Sequence, residues 1–93
     1  MATIATAQTA INLTGYGMVA GARADLMPFG YQKEAMRAAA IKAHSLAQAL
    51  ERGEDFTPEQ FELLALQIDD EMAFAGDRRL PARTAEWLAA FTA

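Results

Sequence analysis

The chain has 93 residues, which allows one domain with one modest core. Apolar residues make up 53% of it, but 22 residues are alanine, which favours helix yet buries little area per side chain. The absence of cysteine excludes disulfides, thiolate zinc sites and thiol catalysis, and a formal net charge of −4 argues against a general nucleic-acid binder.

The charge is unevenly spread. Residues 1–22 carry no charged side chain, and residues 51–77 carry a net −8. The stretches 23–50 and 78–93 carry +2 each. The N-terminal stretch lacks the basic residues and continuous apolar run of a secretory leader. Thr, Gln and Asn interrupt it, so it does not read as a membrane span.

Along residues 2–14, Ile4, Ala7 and Ile11 recur at helical spacing, with Met18 continuing the series. The alternation Ile11-Asn12-Leu13-Thr14 pulls toward strand, and the threonines do not favour helix. The reading is a helix that ends near Gly15, within an uncharged arm that either frays or orders against a neighbour. Residues 15–30 read as a connector punctuated by Gly15, Gly17, Gly21, Pro28 and Gly30. The segment GYGMVAG lacks a Walker lysine and the spacing of a dinucleotide fingerprint. Met18, Val19, Leu26, Met27 and Phe29 are expected to pin this loop to the core.

Residues 29–52 read as a long helix ended by Gly53. Tyr31, Ala35, Ala39, Leu46 and Leu50 form one side of it. Lys33, Arg37, His44 and Gln48 cluster opposite, with Ile41 among them. Lys33, Arg37, Ile41 and His44 are therefore candidates for protein contact; the plainer reading is a solvated face with one exposed isoleucine. The connection GEDFT is short enough to make the flanking helices antiparallel neighbours.

The next helix carries the clearest signals in the chain. Thr57 suits the N-cap, Pro58 the first helical position, and Gln60 completes a capping box. Phe56 and Phe61 occupy the positions of a hydrophobic staple. Glu59 and Glu62 favour the positive end of the helix dipole. Gly76 suits a left-handed C-terminal residue. Phe61, Leu64, Ala65, Ile68, Met72 and Ala75 fall in one arc, and Leu63, Leu66 and Phe74 lie on the other side. The primary expectation is a central helix packed on both sides. The alternative is that Leu63, Leu66 and Phe74 meet a second copy or a foreign protein.

Residues 77–81 read as a turn and 82–92 as a short last helix, with Pro81 as its first residue or Thr84 as its cap. Ala85, Leu88 and Phe91 suit the core face. Trp87 is expected to close the core, pairing with Phe91 one turn on. Arg83 is placed to lie over the indole.

Little in the sequence supports chemistry. His44 and Ser45 are adjacent, so on a helix their side chains diverge and form no nucleophile–base pair. Asp69, Asp70 and Glu71 point three ways, and no Glu-x-x-His pair supports a carboxylate metal site. Glu62 and Asp69 share a face but stand roughly 10 Å apart along the axis. The cluster Arg78, Arg79 and Arg83 is the best anion or nucleic-acid candidate; pairing with the acidic block before it is the simpler account.

The expected fold is all-α, a small antiparallel bundle of three to four helices in a single domain over 1–93. The expected function is a non-catalytic protein–protein interaction module without cofactor or metal. It would act as an adaptor, an assembly subunit or an inhibitor of a larger complex, in the manner of small phage-encoded inhibitors. The alternative is a nucleic-acid-associated protein that binds through Arg78, Arg79 and Arg83. A cytoplasmic, non-membrane location follows from the same features, and self-association is compatible with either reading.

Overall fold

The helix over Pro58–Ala75 ends at a residue that tolerates left-handed backbone, and the same logic recurs at two other breaks in the chain. Gly30, Gly53 and Gly76 all have positive φ, of 150°, 82° and 72°. A β-carbon is disfavoured there, so the chain can change direction at each. The computed structural model describes residues 3–76 and 82–93. Its helices are α1 (Ile4–Leu26), α2 (Tyr31–Glu51), α3 (Pro58–Ala75) and α4 (Thr84–Thr92). The turn expected over 77–81 lies outside the described residues.

Consecutive helices run antiparallel. The α1–α2 seam joins Gly17 to His44 and Asp25 to Arg37. Across α2–α3, the Lys42 Nζ lies 3.2 Å from Glu71, while Leu46 and Leu64 share one groove. α4 bridges α1 and α3, so the four helices close a ring whose diagonal pairs do not approach. The all-α bundle expected from the sequence is therefore the fold. Leu13, Met36, Leu50, Phe61 and Ile68 fill its centre, each fully buried. Alanines at 39, 43, 47 and 65 let the helices approach closely.

α3 starts and stops where local chemistry requires. The Thr57 hydroxyl accepts from the Gln60 N–H at 3.1 Å, and the Gln60 side chain accepts from the Thr57 N–H at 2.9 Å. The packing of α3 differs from expectation. Phe61, Ala65, Ile68, Met72 and Ala75 are buried, with Leu64 packed against them. Leu63, Leu66 and Phe74 face outward. Within the ring α3 has neighbours on one side only, so the expected packing on both sides is not found.

The larger departure is α1. It runs for 23 residues straight through Gly15, Gly17 and Gly21, where a connector was expected. Each glycine costs about 1 kcal/mol relative to alanine in a helix. Two of the three lie on or beside the packed face. A β-carbon at Gly17 would come within 2.9 Å of the His44 ring, and one at Gly21 would sit 3.8 Å from the Ala40 Cβ. Packing against α2 offsets their cost. The effective stop is Pro28, which forces the preceding Met27 into extended backbone, at φ −84° and ψ 149°. Of the residues expected to pin a loop, only Met27 packs on the core; Met18, Val19, Leu26 and Phe29 are exposed.

α4 is short and has no cap of its own. The Asp69 carboxylate of α3 accepts from the Arg83 N–H at 3.0 Å, from the Thr84 N–H at 2.8 Å and from the Thr84 hydroxyl. Thr84, one of two expected starts, is thus the first helical residue and not the cap. Trp87 is buried and meets Tyr16 edge-on at 5.0 Å, closing the core as expected. It does not pair with Phe91, which stacks on Phe61 at 4.4 Å. Ala85 is exposed, not on the core face. Among the described residues no helix is long and apolar enough to cross a membrane.

Candidate interaction surface

α1 has two unlike relations to the rest of the molecule but one kind of residue on both sides. Its inner face buries Thr9, Ala10, Leu13, Tyr16, Gly17, Ala20 and Ala24. The Thr9 hydroxyl is satisfied within the helix by donating to the Ala5 carbonyl at 2.7 Å. The opposite face carries Ile4, Ile11, Met18 and Leu26, exposed at 91%, 64%, 65% and 88%. Val19 lies beside them. The first charged side chain in the helix is Arg23. A surface helix ordinarily turns a charged or polar face to water, and an apolar face is ordinarily covered. This outer face is not covered by any described part of the chain.

Two depressions flank it. On one side, a cleft of about 500 Å³ between α1 and α4 is lined by Ile11, Val19, Tyr16, Trp87 and Arg83. On the other, an open groove of about 530 Å³ between α1 and α2 is floored by Gly17, Gly21 and Ala40. Met18 and Ile41 stand on its two walls, and the Arg37–Asp25 pair, at 3.4 Å, closes one end. The apolar surface of α1 therefore continues onto α2 through Ile41.

Three of the residues singled out on α2 belong to this groove. Arg37, Ile41 and His44 all line it. His44 is not a member of a solvated stripe: it is half-buried, its ring laid against Gly17 of α1. Lys33 is elsewhere, with its ammonium 5.6 Å from the Phe29 ring centroid. Ile41 is 59% exposed.

The α3 candidates form a separate and smaller patch. Leu63 and Leu66 share a shallow depression with Glu59 and Glu62. Phe74 stands apart at the other end, where its ring meets Tyr31 edge-on at 5.3 Å. Tyr31 was expected on the core side of α2 and is instead exposed in this pair.

Arg78 and Arg79 lie outside the described residues. The Arg83 Nη1 donates to Glu86 at 2.9 Å, and its Nε is enclosed without an acceptor among the described residues. This guanidinium is turned into the α1–α4 cleft and already holds a carboxylate. It is not stacked over the indole. Asp69, counted among the acidic block, serves as the cap of α4. Among the described residues no three His, Asp or Glu side chains converge on one point.

Residues 1–22 were legible only as an uncharged arm that frays or orders against a neighbour, and not as one continuous apolar face on the outer side of α1. The signal of that face was present in the seven-residue spacing of Ile4, Ile11 and Met18. Breaking the helix at Gly15 divided that series between an arm and a loop. No family model, curated protein or solved structure matches this chain.

Proposed function

We propose that this protein is a non-catalytic protein–protein interaction module whose principal contact surface is the outer face of α1. One observation carries this reading: a six-turn helix presents Ile4, Ile11, Met18, Val19 and Leu26 to solvent with no charge before Arg23. Contiguous apolar surface of this kind marks interaction sites more often than it marks idle surface. Ile41 extends the same surface onto α2. An adaptor, an assembly subunit and an inhibitor of a larger complex would all use such a face.

The test is substitution on the face without disturbance of the core. Ile11→Glu and Met18→Glu place charge on exposed positions, so both variants should fold as the parent does. The parent chain should retain a partner through nuclease treatment, and both variants should lose it. Leu63→Glu, on the separate α3 patch, should retain it. Equal capture by the parent and the α1 variants would remove α1 as the contact surface. Loss of all capture on nuclease treatment would favour nucleic acid and the arginine cluster instead.

A further inference from the structure

The outer face of α1 has an internal symmetry that selects its occupant. Gly15 lies midway along the helix and on its outward side, with nothing within 4 Å of where its β-carbon would stand. Four residues to either side are Ile11 and Val19. Seven to either side are Gln8 and Ala22, and eleven to either side are Ile4 and Leu26. Offsets of four, seven and eleven keep all seven positions on one stripe of an α-helix. The stripe therefore reads alike from both ends: large apolar at the tips, small or uncharged next, large apolar near the middle, glycine at the centre.

We infer that the occupant of this face is the α1 helix of a second copy, packed antiparallel about a two-fold axis through Gly15. This rests on α1 being a contact surface. In a two-fold interface one patch meets itself, so each residue must suit its symmetry mate. Here Ile11 meets Val19 of the second copy, and Ile4 meets Leu26. Gly15 meets its own equivalent, where the missing β-carbon lets the two backbones cross closely. No charge lies on the stripe to oppose pairing. A parallel arrangement fits less well, because it sets Gln8 against Gln8 and Ala22 against Ala22, one layer polar and the other poorly filled.

Size sets the expected strength. Twenty-three residues make a helix about 34 Å long. A strip of that length and about 10 Å width falls short of the ~800 Å² per partner of a standard stable interface. Met18 and Ile41 at the rim enlarge it without changing the class. The pairing is accordingly weak and reversible, with a dissociation constant on the order of 100 µM, weaker than the micromolar affinities at which interfaces of standard size begin.

The absence of cysteine from the chain makes a direct test simple. Single variants Gly15→Cys and Ile4→Cys are oxidised, each alone, and the parent is followed by sedimentation across a range from about 1 to 300 µM. The expected results are a concentration-dependent dimer for the parent and an efficient disulfide-linked dimer for Gly15→Cys. Ile4→Cys should give none, because the two equivalent positions stand roughly 33 Å apart by helical rise. A parent that stays monomeric throughout overturns the pairing, while capture of a foreign partner through Ile11 and Met18 would still stand. Cross-linking at position 4 overturns the antiparallel arrangement. Gly15→Glu, on open surface, should weaken the dimer at least tenfold with its helix content retained; an unweakened dimer would place the interface elsewhere.

Discussion

The carboxylate of Asp69 on α3 caps α4 through Thr84, fifteen residues further along the chain. One side chain satisfies two backbone N–H groups and the Thr84 hydroxyl at the start of a helix that has no local cap. Hydrogen bonds to a charged acceptor are the stronger kind, and a lost cap alone costs about 1 kcal/mol. Asp69→Ala should therefore destabilise the fold by roughly 2 kcal/mol. For a chain of this size that lowers Tm by about 10 °C. Trp87 fluorescence should report it, since α4 carries the indole against Tyr16. A change below about 0.5 kcal/mol, the size of an ordinary surface substitution, would mean that α4 is held by its apolar contacts alone.

Gly15 and Gly17 lie two residues apart in α1 and should respond oppositely to the same change. At Gly15 a methyl group meets open space, so Gly15→Ala should gain close to the full helix preference of about 1 kcal/mol. At Gly17 it would come within 2.9 Å of the His44 ring, which must move off α1. Gly17→Ala should gain nothing or lose stability. In a His44→Ala background the two substitutions should become alike, because the coupling is between neighbours in contact. Urea unfolding of the four variants at low micromolar concentration decides it, and a difference that persists without the imidazole would point to a backbone cause.

α3 packs on one side only, and stability should show it. Ile68→Ala, fully buried, should cost roughly 2–5 kcal/mol. Leu63→Ala, which is 64% exposed, should stay within about 0.5 kcal/mol. A large cost at Leu63 in dilute protein would show that the face is covered after all.

Phe61 is the largest fully buried side chain among the described residues and stacks on Phe91 with an interplanar angle of 2°. Phe61→Ala should cost about 3–5 kcal/mol. That is a large part of the 5–15 kcal/mol typical of a whole domain. Phe91→Ala, on a half-buried ring, should cost less. Chemical denaturation with the two variants side by side would test the order, and a reversed order would mean that α4 contributes more to the core than its burial indicates.

How much was legible before the structure depended on whether a feature was settled locally. The capping box of Thr57 and Gln60 and the left-handed Gly76 were readable because both ends of α3 are decided by residues within one turn of them. Gly53 ended α2 for the same reason. The cap of α4 was not readable, because its acceptor comes from another helix.

The sequence by itself determined the helical class, the end of α2, the bounds of α3, and the absence of charge along the first 22 residues; the start of α2, expected at residue 29, falls at Tyr31 after Gly30. Local backbone preference, capping and composition carry that information. Only the tertiary structure decided that α1 continues through three glycines. A helical glycine's cost is weighed against what packs on it, here Ala40 and the His44 ring. Only the tertiary structure decided which apolar stripe faces inward. Helical periodicity places Ile4, Ile11 and Met18 together but is silent on whether α2 lies beneath them. The ring of four helices has room for one face of α1 and one face of α3, and it left the second apolar face of each in water.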